Sequence, residues 1–365
     1  MERIIAAENF ADNTSWEIYK NLMKLQQSKD LGFLVKAHEL GGVKTWKLIK
    51  TWSDIYSKCK DGRRKLVFWG YGRDAKGLLD WEERMRDSIG YAYWPLLLNL
   101  PISAFVDKRT QTKEVIFGGK CVPLISPKEV EENYRDAVFM IGTENFYQEI
   151  KEEILDLGVD IDDIYGYYDM NGVEISGRQY FDDFWLPRKE SIMIDAGMYR
   201  GETIYDIVDW NKGLGYDKII GVEPDKENFM AAQNWIEGKN LANIELKNVG
   251  VGSSGKKYTF MANGNSGSHF AENGNDTVVV ETIDSMAGSE DVSYIKMDIE
   301  GFELDALKGA KEVIRRCHPR LLVCLYHKPD DIIEIPQYIL ELDGAYKFYI
   351  RHYSNTYMET LLYAL

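Results

Sequence analysis

The sequence predicts an α/β fold in three parts: a helical N-terminal segment (residues 1–62), a smaller Rossmann-like α/β domain (63–185) and a second α/β domain (186–365). Three observations predict it. Short apolar runs alternate with segments of helical periodicity along most of the chain, the pattern of a parallel sheet with helical crossovers. Two of those runs end in glycine-containing turns, at Gly70-Tyr-Gly72 and at Asp195-Ala-Gly197. And 365 residues exceed the usual size of one domain, so two cores are expected.

Residues 14–60 read as helices. Ile18, Leu22 and Leu25 recur at helical spacing, widened by Trp16, Tyr19 and Met23, and Trp46, Leu48, Ile49, Trp52 and Ile55 make a second stripe. Such stripes pack on a neighbouring domain or on a partner subunit, which leaves room for a homo-oligomer. The first strand, residues 65–69, leads into Gly70-Tyr-Gly72-Arg-Asp-Ala75 and a helix-like segment. Further strands are expected at 102–106, ending before Asp107, and at 138–142, followed by a helix over 144–157. Gly70-x-Gly72-x-x-Ala75 resembles a dinucleotide fingerprint with Asp107 as its ribose acid. The 35 residues from Gly72 to Asp107 exceed the usual ~20, so it reads rather as a Rossmann-like turn that has lost its ligand. Residues 165–189, aromatic, polar and irregular, form the connection.

In the second domain, strands are expected at 192–195, 219–222, 244–249, 258–261, 278–282, 294–298, 321–326, 347–351 and 360–363. Between Ala262 and Asp276 a run rich in Gly, Asn and Ser reads as a functional or mobile loop.

Composition excludes several classes. Lys and Arg number 44 against 59 Asp and Glu, a net charge of −15, which repels phosphate backbones and argues against a nucleic-acid partner. The four cysteines, Cys59, Cys121, Cys317 and Cys324, form no CxxC pair and read as reduced thiols. The N-terminus lacks the apolar core of a signal peptide, and the most apolar stretch, residues 93–106, is short and holds Pro95 and Pro101. A cytoplasmic protein with no membrane partner is the expectation.

The chemistry concentrates at the expected carboxyl ends of the second domain's strands. Asp195-Ala196-Gly197-x-x-x-Gly201 brings a strand into a turn that a ligand can approach without meeting a Cβ. The acid beside that turn disfavours phosphate and suits a cationic ligand. Glu223-Pro224 follows 28 residues after Asp195, where a carboxylate can accept both hydroxyls of a ribose. Asn248 and Gly250 end the next strand, placed to pass beside a base. Lys296, Asp298 and Glu300 alternate at period two and share one face if their strand persists; charges there are costly unless paired or used.

Together these segments resemble the FkbM-family methyltransferases. The match rests on Asp195-Ala-Gly197-x-x-x-Gly201, Val222-Glu223-Pro224, Thr282-Ile-Asp284, Ile295-Lys296-Met-Asp298-Ile-Glu300-Gly301-Phe-Glu303, Tyr326-His327-Lys328-Pro329, Arg351-His352-Tyr353 and Glu359-Thr360, from about Ser191 to the C-terminus. The resemblance implies a class I methyltransferase fold, mostly parallel with an antiparallel edge strand. It also implies S-adenosylmethionine as donor and an oxygen acceptor on a sugar, polyketide or other small molecule. On that reading Asp195, Ala196, Gly197, Gly201, Glu223, Pro224, Asn248, Gly250 and Asp298 hold the donor. His327 is the first candidate general base, because an imidazole titrates near neutrality, with Asp298 and Glu300 next. His269, in the loop, is a further candidate. Asp298 meets the donor's amino group or, with Glu300, a divalent ion; related enzymes sometimes use Mg²⁺, no metal-ligand set is assigned, and metal dependence stays open. The rival readings are an NAD(P)- or nucleotide-sugar-dependent enzyme working through the first domain, and a non-catalytic scaffold.

Overall fold

The computed structural model describes residues 5–28, 32–41, 47–72, 76, 100–108, 113–143, 145–166, 179–211, 213–239, 241–262, 264, 268–270, 274–354 and 358–365. The chain divides into two compact units, one of residues 20–175 with 354–358, the other of residues 1–19, 176–353 and 359–365.

The first unit begins within helix α1 (Asn13–Ser28) and continues through α2 (Gly32–Gly41) and α3 (Lys47–Cys59). Its sheet contains β1 (Leu66–Trp69), β2 (Ile102–Val106), β3 (Glu114–Phe117), β4 (Lys120–Ile125), β5 (Val138–Ile141) and β6 (Ile164–Gly166), in the order β3-β4-β2-β1-β5-β6. All neighbours run parallel except β3 against β4. Helices α4 (Pro127–Asn133) and α5 (Tyr147–Asp156) follow β4 and β5. β1 and β5 are apolar and buried along their whole length, as central parallel strands must be. Gly70 takes φ +101° after β1. Ala75 and the helix expected after the turn lie outside the described residues.

In the second unit a seven-stranded sheet has the order β16-β17-β15-β14-β7-β8-β9. Its members are β7 (Glu190–Ala196), β8 (Tyr216–Val222), β9 (Ile244–Lys247), β14 (Val292–Met297), β15 (Arg320–Cys324), β16 (Phe348–His352) and β17 (Thr360–Ala364). A small sheet, β10-β13-β11-β12, is built from β10 (Gly250–Val251), β11 (Lys257–Met261), β12 (His269–Phe270) and β13 (Asp276–Glu281). The helices are α6 (Glu202–Trp210), α7 (Lys226–Glu237), α8 (Ile283–Ala287), α9 (Glu303–Lys308), α10 (Lys311–Cys317) and α11 (Asp331–Leu342). Met193, Met198, Ile204, Ile207, Tyr294, Leu322, Leu361 and Tyr363 belong to one buried cluster under the sheet.

The antiparallel strand lies one place in from the edge. β17 pairs antiparallel with β15 on one side and with β16 on the other. The chain leaves β16 and returns as the next strand, so the inner position falls to β17 and β16 takes the edge. The helical N-terminal segment is also not one piece. Phe10 bridges to Phe348, Ala11 N–H donates to the Phe348 carbonyl at 2.8 Å, and Asp12 pairs with Arg351 at 2.5 Å. All four cysteines are free thiols. Among the described residues, no helix is long and apolar enough to cross a membrane.

Candidate active site

The site forms where β14, β7 and β8 end together. Register pairs Lys296 with Asp195, Met297 with Ala196, Asp195 with Gly221 and Ala196 with Val222, so the next residues of each strand emerge side by side at one sheet edge. In a parallel sheet that edge is where ligands bind.

The turn after β7 is fixed by its neighbours. Gly197 and Met198 both donate N–H to the Val222 carbonyl, at 3.0 and 3.1 Å, and Asp298 N–H donates to the Ala196 carbonyl at 3.1 Å. Gly197 has φ +82°, and a Cβ there would lie 1.8 Å from the Asp298 carbonyl oxygen, so only glycine fits. Gly201, at φ +93°, then turns the chain into α6.

Asp195 is fully buried, and its carboxylate is engaged inside the protein. Lys296 Nζ donates to Oδ1 at 2.9 Å and Thr203 Oγ1 to Oδ2 at 2.5 Å; the same ammonium reaches the Gly197 carbonyl at 3.0 Å. Burial alone would lower the lysine's pKa, but Asp195 and Asp298 hold it above its ordinary value. The charge expected to face a cationic ligand thus has a partner inside the protein. The charge is neutralised by Lys296, because adjacent parallel strands set the two side chains next to each other, and the pair props the turn.

Glu223 sits at the end of β8, buried, with Tyr199 N–H donating to Oε2 at 3.2 Å and Asp225 N–H to Oε1 at 2.9 Å. Each oxygen retains accepting capacity. Desolvation pushes this carboxyl up to about 8, against the lowering effect of its two N–H donors. The exposed Asn248 amide donates to the carbonyls of Glu223 and Pro224, at 2.9 and 3.0 Å, and so holds the turn that carries the carboxylate. Gly250 packs against Phe270, whose ring would meet a Cβ at 2.5 Å. Asp225 caps α7 through the N–H groups of Glu227 and Asn228 and also accepts from Gly264 N–H and Ser268 Oγ, tying down part of the Gly/Asn/Ser loop. His269 lies in β12, paired to Met261; most of the rest of that loop lies outside the described residues.

Asp298, Glu300 and His327 come together, though not by strand alternation. β14 ends at Met297, and Glu300 takes the left-handed φ of +52°, costly for a glutamate and found where function or packing imposes it. His327, 2% exposed, follows β15 and points Nε2 toward Asp298 Oδ1 at 3.5 Å and Glu300 Oε2 at 3.8 Å. Its Nδ1 lies 2.8 Å from Glu303 Oε1. Tyr180 donates to Asp298 Oδ2 at 2.7 Å and Tyr326 to Oδ1 at 3.3 Å. Burial would lower the imidazole's pKa, but Glu303, Glu300 and Asp298 override it and raise it to about 10. The surrounding carboxylates therefore favour the ring's protonated form, which weighs against its acting as general base.

Thr203, Tyr180, Glu303 and Glu359 belong to this site without being read as site residues in the sequence; Lys296, read there with Asp298 and Glu300, turns out to be the partner of Asp195. Glu359 accepts from Gln179, and the two raised carboxyls Glu300 and Glu359 both sit at about 7, burial being the first cause in each. Glu303 carried a signal, its position within the run 295–303. Tyr180 carried none, since it lies in the irregular connection.

Residues 195–348 match the family model of the methyltransferase FkbM domain. The crystal structure of a methyltransferase FkbM from Methylobacillus flagellatus is similar over 97% of this chain and 99% of that one, at 18% identity and a TM-score of 0.53, a likeness of fold. Partial likenesses include Aeropyrum pernix fibrillarin, solved with bound S-adenosyl-L-methionine (13% identity, 49% of this chain and 67% of that one, TM-score 0.32). Another is a Streptococcus mutans methyltransferase solved with SAH (14%, 49% and 92%, TM-score 0.33). No curated protein matches the sequence.

Proposed function

We propose, from the premise that residues 195–348 form an FkbM methyltransferase domain, that this protein transfers a methyl group from S-adenosylmethionine to an oxygen of a small-molecule or sugar acceptor. One observation carries the reading. Glu223 is held by two backbone N–H groups at the end of β8, beside the Gly197 turn, with capacity left on both carboxylate oxygens. That is the chemistry a ribose diol needs, placed at the sheet edge where parallel α/β folds bind nucleosides. Asp195 and Lys296 keep the turn rigid; Asn248 keeps the Glu223 backbone in place.

The donor supplies a methyl group already activated on a sulfonium, so positioning accounts for much of the rate. The protein's part is to hold donor and acceptor in line and to receive the acceptor's proton. The carboxylates gathered at the ends of β14 and β15 support an acceptor that arrives as a neutral hydroxyl, since a carboxylate acceptor would meet like charges.

Calorimetric titration with S-adenosylhomocysteine tests the donor assignment. Wild type is expected to bind one equivalent, and Glu223→Gln to bind about 10- to 100-fold more weakly, the range for losing hydrogen bonds to a charged group. Equal affinity in the two proteins removes Glu223 from the pocket. Incubation with donor and a panel of hydroxyl- and carboxylate-bearing compounds, read as S-adenosylhomocysteine released, tests the acceptor class.

A further inference from the structure

We propose that Asp298, Glu300 and His327 form a site for one divalent metal ion, bound through Asp298 Oδ1, Glu300 Oε2 and His327 Nε2. The inference rests on the methyltransferase reading only for the ion's role; the site itself is argued from geometry.

These ligand atoms lie within 4.8 Å of one another, with Nε2 at 3.5 and 3.8 Å from the two carboxylate oxygens. Those separations are too long for hydrogen bonds. They are close to the edge of a coordination polyhedron: metal–ligand bonds of about 2.1 Å at tetrahedral angles place ligand atoms about 3.4 Å apart. His327 is almost wholly buried, and neither ring nitrogen makes a well-aligned hydrogen bond: Nε2 faces the two carboxylates, and Nδ1 has Glu303 at ion-pair distance. A ring nitrogen facing two carboxylates in such a place calls for a cation between them.

The surroundings have the form of a supporting shell for a metal. Glu303 Oε1 stands 2.8 Å from Nδ1, where it would orient the ring and fix the proton on that nitrogen, leaving Nε2 to coordinate. Glu303 is itself held by Ile299 N–H at 2.9 Å. Tyr180 and Tyr326 orient Asp298. The left-handed backbone at Glu300 is what brings its carboxylate to the other two. A mixed nitrogen–oxygen donor set favours Mn²⁺, Fe²⁺, Co²⁺ or Zn²⁺ over Ca²⁺, which takes six to eight oxygens. Three protein ligands leave positions for water or for an acceptor oxygen.

The test uses the full chain freed of metal by a chelator and titrated with Mn²⁺ and Zn²⁺, followed by calorimetry and, for Mn²⁺, by the loss of its free-ion paramagnetic resonance signal. S-adenosylhomocysteine affinity is measured in parallel. One equivalent of metal is expected, with at least tenfold weaker binding in Glu300→Gln and His327→Asn while S-adenosylhomocysteine affinity stays within about twofold. The partly exposed Glu300 gives a variant that folds even if His327→Asn does not. Metal binding that is absent, or unchanged in Glu300→Gln, overturns the site. So does a loss of S-adenosylhomocysteine affinity without metal binding, which would assign the cluster to the donor's amino group. Failure of wild type to bind S-adenosylhomocysteine while metal binding holds would sink the donor reading and leave the metal site standing.

Discussion

At the scale of single residues, the decisive feature is how buried charge is matched. Lys296 and Asp195 face each other across β14 and β7, both almost fully buried, 2.9 Å apart. Replacing Lys296 with Met leaves a carboxylate in an apolar strand with only Thr203 to satisfy it, and removing one member of such a pair costs about 3–5 kcal/mol. Urea unfolding of Lys296→Met should show that loss, and a change under about 1 kcal/mol would mean the pair is not desolvated as described. Glu223 makes a different prediction. It sits at about 8 with no ligand, so below that pH it holds a proton. On the proposed reading, ribose hydroxyls would donate to the ionised form, and donor binding would expel the proton. Affinity for S-adenosylhomocysteine should therefore rise from pH 6 toward pH 8, by at most about tenfold per pH unit, and level off above it. A flat profile in wild type, or the same slope in Glu223→Gln, would contradict that linkage. The types of these residues were legible in the sequence, because acids after apolar runs mark strand ends. The partnership of Asp195 was not, since it depends on which strand lies beside β7, and Lys296 is 101 residues away.

At the scale of elements, most strands of the second unit were legible to within a few residues, because a buried parallel strand needs a continuous apolar run. The strands missed are those that lack one. β3 and β4 are half exposed, and their signal was the Gly118-Gly119 pair, two residues with positive φ joining antiparallel partners. β10 and β12 have only two residues each, too few for a period to appear. The site shows the same limit. Alternation along β14 predicted that Lys296, Asp298 and Glu300 share a face, but the strand stops at Met297 and a left-handed turn brings Glu300 to His327. The first residues of the chain were read as part of one helical segment, whereas Phe10 lies against Trp16, Tyr19 and Phe348, buried at 8% exposure. Truncating a buried phenylalanine costs about 3–5 kcal/mol. Phe10→Ala should thus lower the unfolding temperature of the unit containing β16, visible by calorimetry, and an unchanged transition would mean that this segment does not pack there in solution.

At the scale of the molecule, charge narrows what the acceptor can be. A chain with 15 more acidic than basic groups presents phosphate-rich polymers with net repulsion, and affinity for nucleic acid comes chiefly from counterions displaced by lysine and arginine. The site adds to this, since Asp298, Glu300, Glu303 and Glu359 gather at one sheet edge, with Lys296 and His327 among them. A polyanionic acceptor would have to cross that field to reach the donor. Structured RNA should accordingly show no shift with this protein on a native gel even at about 50 mM salt, where such contacts are strongest. If Glu223 holds the donor as proposed, added salt should leave donor affinity nearly unchanged, because a buried contact is little screened. RNA binding that weakens steeply as salt rises would reveal a basic surface that the overall charge conceals, and would move the acceptor from small hydroxyl compounds to nucleic acid.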